Sequence, residues 1–180
     1  MVGAFSIYAN KGVYNVPMMV TKIEDKYGNV LANFYPESRE VITENTAFLM
    51  ANLLQGVVDE GTGRRLRFRY GFKNQIGGKT GTTQNHSDGW FIGITPDLAG
   101  GVWVGAEDRS IHFQNLANGQ GASMALPIWA LFMQKVYADK SLAVPQGDFQ
   151  KPNGVNHVLD CGDADREGMT DYDSSDEIFD

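Results

Sequence analysis

The sequence has little of three things on which large classes of protein depend: cysteine, excess positive charge and long apolar runs. One cysteine in 180 residues permits no internal disulfide and excludes a zinc site built from cysteines. A formal net charge of −7 argues against a general nucleic-acid binder, because affinity for phosphates depends on clustered positive charge. The longest nearly apolar run, residues 125–133, is far shorter than the roughly 20 residues needed to span a bilayer.

The charge is distributed unevenly along the chain. Residues 148–180 hold ten acidic and two basic residues, a net charge of −8, whereas residues 1–147 hold 13 basic and 12 acidic residues. A polar, acidic segment buries too little apolar surface to offset the entropy lost on folding. We therefore expect a folded unit over residues 1–140 and an acidic, disordered tail over residues 141–180.

Hydrophobic patterning predicts an α+β fold in which helices pack on an antiparallel sheet. Three segments rich in β-formers, at residues 76–83, 89–95 and 101–107, are joined by connections too short for a crossover. They should therefore be antiparallel neighbours. An earlier β-hairpin is predicted over residues 16–34, with Gly28-Asn29 at its turn.

Helices are predicted before, between and after these strands. Residues 1–10 are apolar and small and have no N-cap, so they resemble the end of a helix that starts upstream. We therefore expect the chain to be a piece of a larger domain. Thr43 should cap a second helix that ends near Gly61. A last helix over residues 123–138 is apolar on nearly all sides, which predicts that it is sandwiched in a core.

The most informative stretch is GGKTGTTQNHSDGWFIG, residues 77–93, for which we considered three interpretations. A P-loop requires GxxxxGK[ST] before a helix, but Lys73 occupies the first glycine position and a strand is predicted instead. An incidental lysine in a glycine-rich strand is the second interpretation. The third is the K-T-G element of the penicillin-recognising serine acyltransferases.

The residue types of this element suit the recognition of a carboxylate next to an extended peptide. Lys79 supplies a fixed positive charge, and the hydroxyls of Thr80 and Thr82 can donate hydrogen bonds to a carboxylate. Gly81 allows a substrate to approach the backbone. The exposed edge of such a strand can bind a peptide as an added strand, and one of its N–H groups can contribute to an oxyanion hole.

Four blocks of the sequence, in order and spacing, resemble the class A penicillin-binding proteins, which are bifunctional peptidoglycan synthases. The resemblance runs from Met1 to about Tyr137. Its blocks are MVGAFSIYANKGVYNVPMMVTKIEDKYGNVL, LLQGVVDEGTGRR, GGKTGTTQNHSDGWFIGITPDLAGGVWVGAED and GQGASMALPIWALFM. It implies a partial serine β-lactamase/D,D-transpeptidase-like fold.

The resemblance also implies an activity, partners and a location. In that family a serine attacks the penultimate D-alanine carbonyl of a peptidoglycan stem peptide, D-alanine leaves, and the acyl group passes to an amine on a neighbouring strand. β-Lactams acylate the same serine. Such proteins also carry a glycosyltransferase domain and a membrane anchor, and they work at the periplasmic, extracytoplasmic face of the inner membrane. No cofactor is implied.

Individual residues acquire roles through the same resemblance. Lys79 and Thr82 become candidate catalytic residues, Thr82 through its N–H group in the oxyanion hole. Candidate substrate-binding residues are Thr80, Gly81, Thr82 and Thr83. No metal site is expected, since His86, His112 and His157 lack the spacing of metal ligands.

The sequence departs from the family in one respect that decides activity. Neither S-x-x-K nor S-x-N occurs in the 180 residues. In the family, S-x-x-K supplies the nucleophilic serine and its lysine base, and S-x-N is the second active-site motif. We expect both to lie upstream, and we expect this chain alone to be inactive and to self-associate through apolar surface that the missing part would cover. A non-catalytic peptide-binding or scaffolding protein that keeps the K-T-G sheet remains the alternative.

A basic and aromatic run at residues 64–70 has two interpretations. Its four arginines, with Phe68 and Tyr70, could contact an anionic polymer such as nucleic acid. The favoured interpretation is a solvated loop beside the K-T-G strand.

Overall fold

The computed structural model describes residues 1–155 of the chain. Residues 156–180, with Cys161 and most of the expected acidic tail, lie outside the described residues. The described part is α+β, with antiparallel strands and packed helices, as the sequence predicts. The helices are α1 (Val2–Ala9), α2 (Glu44–Asp59), α3 (Arg65–Phe68), α4 (Leu116–Gly119) and α5 (Gly121–Ala138), with short 3-10 turns at Gln84–His86 and Lys140–Leu142.

Four short strands near the start of the chain form two nested antiparallel pairs. Strand β1 (Val13–Asn15) pairs with β4 (Ser38–Glu40), and β2 (Lys22–Glu24) pairs with β3 (Val30–Asn33). The predicted hairpin is therefore correct from residue 22 onward, but residues 16–21 are not its first strand. The reason is local, because Val16 extends the outer ladder through its N–H to the Glu37 carbonyl, 2.9 Å. Pro17, which has no N–H to donate, then follows.

The main sheet has the order β5-β6-β7 and consists of β5 (Gly77–Thr82), β6 (Asp88–Ile94) and β7 (Ala99–Gly105). Both pairings are antiparallel, which confirms the three predicted neighbours. Among residues 1–155, β5 pairs with a strand on one side only. The K-T-G residues therefore lie on an edge strand.

Helix α5 packs on this sheet through an aromatic contact at the centre of the core. The Trp129 and Phe91 rings lie 5.4 Å apart between centroids, at an interplanar angle of 73°. Gly93 of β6 makes room for the Trp129 indole, since a Cβ at that position would lie 2.5 Å from it. The close approach of α5 to the sheet thus depends on a glycine at position 93, which has no side chain to block the indole.

The opposite side of α5 is more open than its sequence predicts. Ile128, Leu131 and Phe132 are 50%, 54% and 59% exposed, so the expectation of a helix buried nearly all round is wrong. These three side chains follow one another at i, i+3 and i+4, and thus lie on one face of the helix. These side chains are exposed because the sheet covers only the opposite face of α5, and within the described part of the chain nothing covers their face.

Helix α2 begins as its sequence predicts. Thr43 is its N-cap, and the Thr43 hydroxyl accepts a hydrogen bond from the Thr46 N–H at 3.2 Å. Ala51 and Leu54 of this helix form a second apolar cluster with Ile94. The same cluster receives Phe149 from the segment after α5, and the Phe149 N–H donates to Gln75 Oε1 at 2.8 Å. The first residues of the segment that the sequence assigns to the tail thus lie against the folded unit.

None of the helices within residues 1–155 combines the length and the apolar character that a membrane crossing requires.

Replacing Gly93 by alanine tests the helix–sheet contact. The added Cβ would overlap the Trp129 indole, so Gly93→Ala should lower the free energy of unfolding by about 1–3 kcal/mol, the usual cost of overpacking a core. Urea denaturation of the chain measures this change. Gly56→Ala in α2 is the matched control, since its Cβ would meet no atom within 4 Å. That variant should be neutral or up to about 1 kcal/mol more stable. Equal unfolding free energies for the two variants would contradict the contact.

Candidate functional site

The open edge of β5 is the feature around which the predicted site residues are arranged. At the turn into β6, the Thr83 N–H donates to the Asp88 carbonyl at 3.2 Å, so Thr83 and Asp88 are a hydrogen-bonded pair. In an antiparallel ladder such pairs alternate with pairs that make no bonds to each other. The register Thr82↔Gly89 and Thr80↔Phe91 therefore directs the backbone N–H and C=O groups of Thr80 and Thr82 away from β6.

Lys79 confirms this direction independently. Its side chain is exposed, and Nζ donates to the Thr80 carbonyl at 2.9 Å. The carbonyl can accept this bond because it points to the open edge rather than to β6. The ammonium charge consequently lies along the same edge as the outward-pointing backbone groups of Thr80 and Thr82.

The hydroxyls of Thr80 and Thr82 each contact a group from another element. Thr80 Oγ1 lies 2.8 Å from Thr62 Oγ1, in the loop after α2. Thr82 Oγ1 accepts a hydrogen bond at 3.0 Å from the N–H of Gly121, at the start of α5. Both hydroxyl oxygens thus have a hydrogen-bond partner from another element, while Thr82 as a residue stays exposed.

The start of α5 packs against the backbone of Gly81, between these two threonines. A Cβ on Gly121 would overlap the backbone oxygens of Gly81 and Trp90, so the start of α5 sits directly against this part of the strand. Only a residue without a side chain can deliver its N–H to Thr82 from that position.

Thr83, the remaining predicted substrate-binding residue, has its hydroxyl in the β5–β6 turn. Its Oγ1 accepts the Asp88 N–H at 3.0 Å and lies 3.1 Å from the Asp88 carbonyl and 3.0 Å from Ser87 Oγ. The Thr83 side chain thus helps to hold this turn in place. The structure therefore brings Lys79, Thr80, Gly81 and Thr82 together on the edge and places the Thr83 hydroxyl beside them in the turn.

The arginine run beside the strand makes intramolecular contacts. Arg65 Nη1 donates to the Ala122 carbonyl at 3.0 Å and to Ser123 Oγ at 2.9 Å. Arg67 binds Asp59 through Nε at 2.7 Å and donates from Nη1 to the Asn74 carbonyl, also at 2.7 Å. Two of the four arginines thus brace the loop against α2 and α5. The sequence predicted a solvated loop and gave no sign of these contacts.

The site is an exposed strand edge and not an enclosed cavity. A cavity of about 430 Å³ lies between α1, α2 and residues 147–150, and none of its lining residues belongs to β5. A strand edge is shallow, so a pocket forms on it only when a second surface faces it. Within residues 1–155, no three His, Cys, Asp or Glu side chains converge to hold a metal ion.

Two members of the site were missed by the sequence interpretation. Thr62 belongs to the quoted block LLQGVVDEGTGRR, where its position between two glycines was the available signal. The N–H of Gly121 was not identifiable, because a backbone group carries no sequence signature of its own.

Comparison with known proteins gives a consistent assignment. A family model described as the penicillin binding protein transpeptidase domain matches residues 1–122. Penicillin-binding protein 1A of Aquifex aeolicus is 34% identical over 152 residues, which cover 84% of this chain and 20% of that protein. Penicillin-binding protein 1A of Clostridium novyi is 31% identical over 147 residues, or 82% of this chain and 16% of that protein. The chain thus spans about a fifth, or less, of the length of these two curated relatives.

Solved structures agree at the level of the fold. Penicillin-binding protein 1A from Haemophilus influenzae superimposes with a TM-score of 0.72 at 24% identity, over 84% of this chain and 27% of that one. The D,D-transpeptidase domain of a peptidoglycan glycosyltransferase from Eggerthella lenta gives a TM-score of 0.55 at 24% identity, over 75% of this chain and 32% of that one. With the family match over residues 1–122, these likenesses lead to one conclusion: the chain belongs to the penicillin-binding protein transpeptidase domain family and has its D,D-transpeptidase fold.

Proposed function

We propose that this chain supplies the substrate-binding strand of a serine-type D,D-transpeptidase that crosslinks peptidoglycan stem peptides. The observation that carries the proposal is the open edge of β5. There the Lys79 ammonium, the Thr80 and Thr82 hydroxyls and the outward backbone groups of both threonines lie together. An extended peptide ending in a carboxylate matches this arrangement, because it can pair with the edge and place its negative charge near Lys79.

The proposed chemistry divides between this chain and an upstream segment. A serine from an upstream S-x-x-K attacks the penultimate D-alanine carbonyl, and its proton passes to a basic group beside it. The negative charge on the tetrahedral oxygen is stabilised by the Thr82 N–H together with the serine's own N–H. The C–N bond then breaks and D-alanine leaves with a proton. The acyl group is finally transferred to the amine of a neighbouring stem peptide, which frees the serine.

β-Lactams would use the same edge. A penicillin carries a carboxylate beside its cyclic amide, so Lys79, Thr80 and Thr82 would hold it as they hold the peptide terminus. Attack by the serine opens the ring, and the ring nitrogen takes the proton. Because the leaving group stays attached, the acyl-enzyme persists.

The proposal also concerns the whole protein, of which this chain is a part. We infer that it also carries a glycosyltransferase domain and a membrane anchor and acts at the extracytoplasmic face of the inner membrane. The similarity to penicillin-binding proteins 1A supports this, since this chain covers only 16–20% of two of them. A scaffolding protein that binds peptides along β5 without acylation is the competing function, and the same open edge would serve it.

Incubation of the isolated chain with a fluorescent penicillin tests whether the nucleophilic serine lies outside this chain. No serine of this chain is followed by lysine at the third position, so intact mass measurement should detect no adduct at equimolar or excess penicillin. A stoichiometric adduct on any serine of the chain would contradict the proposal.

Joining the chain to an upstream family segment that carries S-x-x-K tests the role of Lys79. The joined protein should be acylated, and Lys79→Met should lower its second-order acylation rate about 10- to 100-fold. That range corresponds to loss of one hydrogen bond to a charged group. Lys73→Met is the matched control, since Lys73 is also exposed but precedes β5, and it should leave the rate unchanged. Equal losses in both variants would indicate only a general charge effect, and peptide binding without any acylation would favour the scaffold.

Self-association of the isolated chain is a further expectation. The exposed face formed by Ile128, Leu131 and Phe132 is apolar, and burying it against a second copy removes apolar surface from water. Light scattering at increasing concentration should show a rising mass, and Leu131→Glu should reduce it. The control is Leu53→Glu, at a leucine of α2 that is 67% exposed. A monomer at high concentration would overturn this expectation.

A further inference from the structure

The loop that carries Thr62 is held tightly against the end of α2. The Gly63 N–H donates to the Val57 carbonyl at 2.9 Å, and the Gly61 N–H donates to the Gly56 carbonyl at 3.1 Å. A Cβ on Gly61 would lie 2.9 Å from the Val57 Cα and carbonyl oxygen, and one on Gly63 would lie 3.1 Å from the same oxygen. A side chain at position 61 would therefore force the loop to shift, and one at position 63 would crowd the same carbonyl oxygen.

Thr62 consequently reaches the K-T-G strand from a fixed position. Its Oγ1 lies 2.8 Å from Thr80 Oγ1, an ordinary length for a hydrogen bond between two hydroxyls. Only one proton can lie between the two oxygens. If Thr62 donates it, the proton of Thr80 is left to point away from Thr62, toward a ligand.

The hydroxyl of Thr82, the second on the strand, already accepts a hydrogen bond from another part of the protein. An N–H group can only donate, so the bond from Gly121 to Thr82 Oγ1 at 3.0 Å makes Thr82 the acceptor. The Thr82 proton is thereby available to a ligand. A carboxylate accepts hydrogen bonds and donates none, so a strand that binds one needs its hydroxyl protons directed outward.

One arginine connects the two elements that set these polarities. Arg65 lies three residues after Thr62, and it binds the Ala122 carbonyl and Ser123 Oγ, directly after Gly121. The loop after α2 and the start of α5 are therefore braced against each other. Thr62 and the Gly121 N–H thus contact β5 from two elements that Arg65 links.

We propose that Thr62 is a positioning residue that donates its proton to Thr80 and so makes the Thr80 hydroxyl a donor to the carboxylate of a ligand on β5. The inference rests on the proposed function of β5 and adds a specificity device to it. Thr62 does not need to touch the ligand. Its effect should be confined to ligands whose carboxylate is free, because an esterified carboxyl carries no negative charge and gains much less from a second donor.

The test compares two ligands in the chain joined to its upstream S-x-x-K segment. The ligands are a penicillin with a free carboxylate and the methyl ester of the same penicillin. Thr62→Val should lower the acylation rate with the free acid about 3- to 10-fold, the usual effect of one neutral hydrogen bond, and leave the rate with the ester unchanged. Thr62→Ser keeps the hydroxyl and should retain the wild-type rates with both ligands.

A double variant shows whether Thr62 acts through Thr80. Thr80→Val alone should lower the rate with the free acid, and adding Thr62→Val to it should cause no further loss, because the group that Thr62 orients is absent. Equal losses for acid and ester, or a Thr62→Val loss that persists on the Thr80→Val background, would overturn the inference and leave the proposed function intact. A joined wild-type protein that neither penicillin acylates would overturn both.

If Thr62→Val lowers the melting temperature, Thr62→Ala provides the same comparison with a smaller side chain. Its ratio of acid to ester rates should fall by the same factor as in Thr62→Val, and an unchanged ratio would overturn the inference.

Discussion

The packing of the Trp129 indole over the glycines of the sheet determines where the rest of the site can lie. Gly93 leaves the space that the indole fills, and Gly100 lies beneath its edge. Because α5 is held this close, its first residue reaches the backbone of Gly81 and Trp90 and presents an N–H to Thr82. A core contact at the middle of α5 and a site contact at its start thus belong to the same helix.

The edge of β5 then has a fixed chemical character. Alternation along the ladder directs the backbone groups of Thr80 and Thr82 outward, and Lys79 places its ammonium on the same side by bonding to the Thr80 carbonyl. An exposed strand edge is ordinarily a hazard for aggregation. Here its backbone groups, two hydroxyls and one charge lie together, and the proposed function assigns them to an extended ligand with a carboxylate.

Much of this arrangement is predictable from the sequence, for physical reasons that differ between elements. The three strands follow from short connections, and the cap of α2 follows from the side chain of Thr43, because both depend on neighbours along the chain. The start of the hairpin and the exposed face of α5 were predicted wrongly. The former depends on the pairing of β1 with β4, and the latter on which face the sheet covers. The contacts Thr62–Thr80 and Gly121–Thr82 join residues 18 and 39 positions apart, and no local pattern encodes them.

We propose that a ligand covers the open edge of β5. Hydrogen exchange of individual backbone amides, measured on the joined protein before and after acylation by a penicillin, shows whether it does. The amides of Lys79 and Gly81, which face β6, should exchange slowly throughout. Those of Thr80 and Thr82 should exchange quickly in the free protein, and that of Thr82 should become protected on acylation. A Thr82 amide that is already protected before acylation, or that stays unprotected after it, would show that a ligand does not cover this edge.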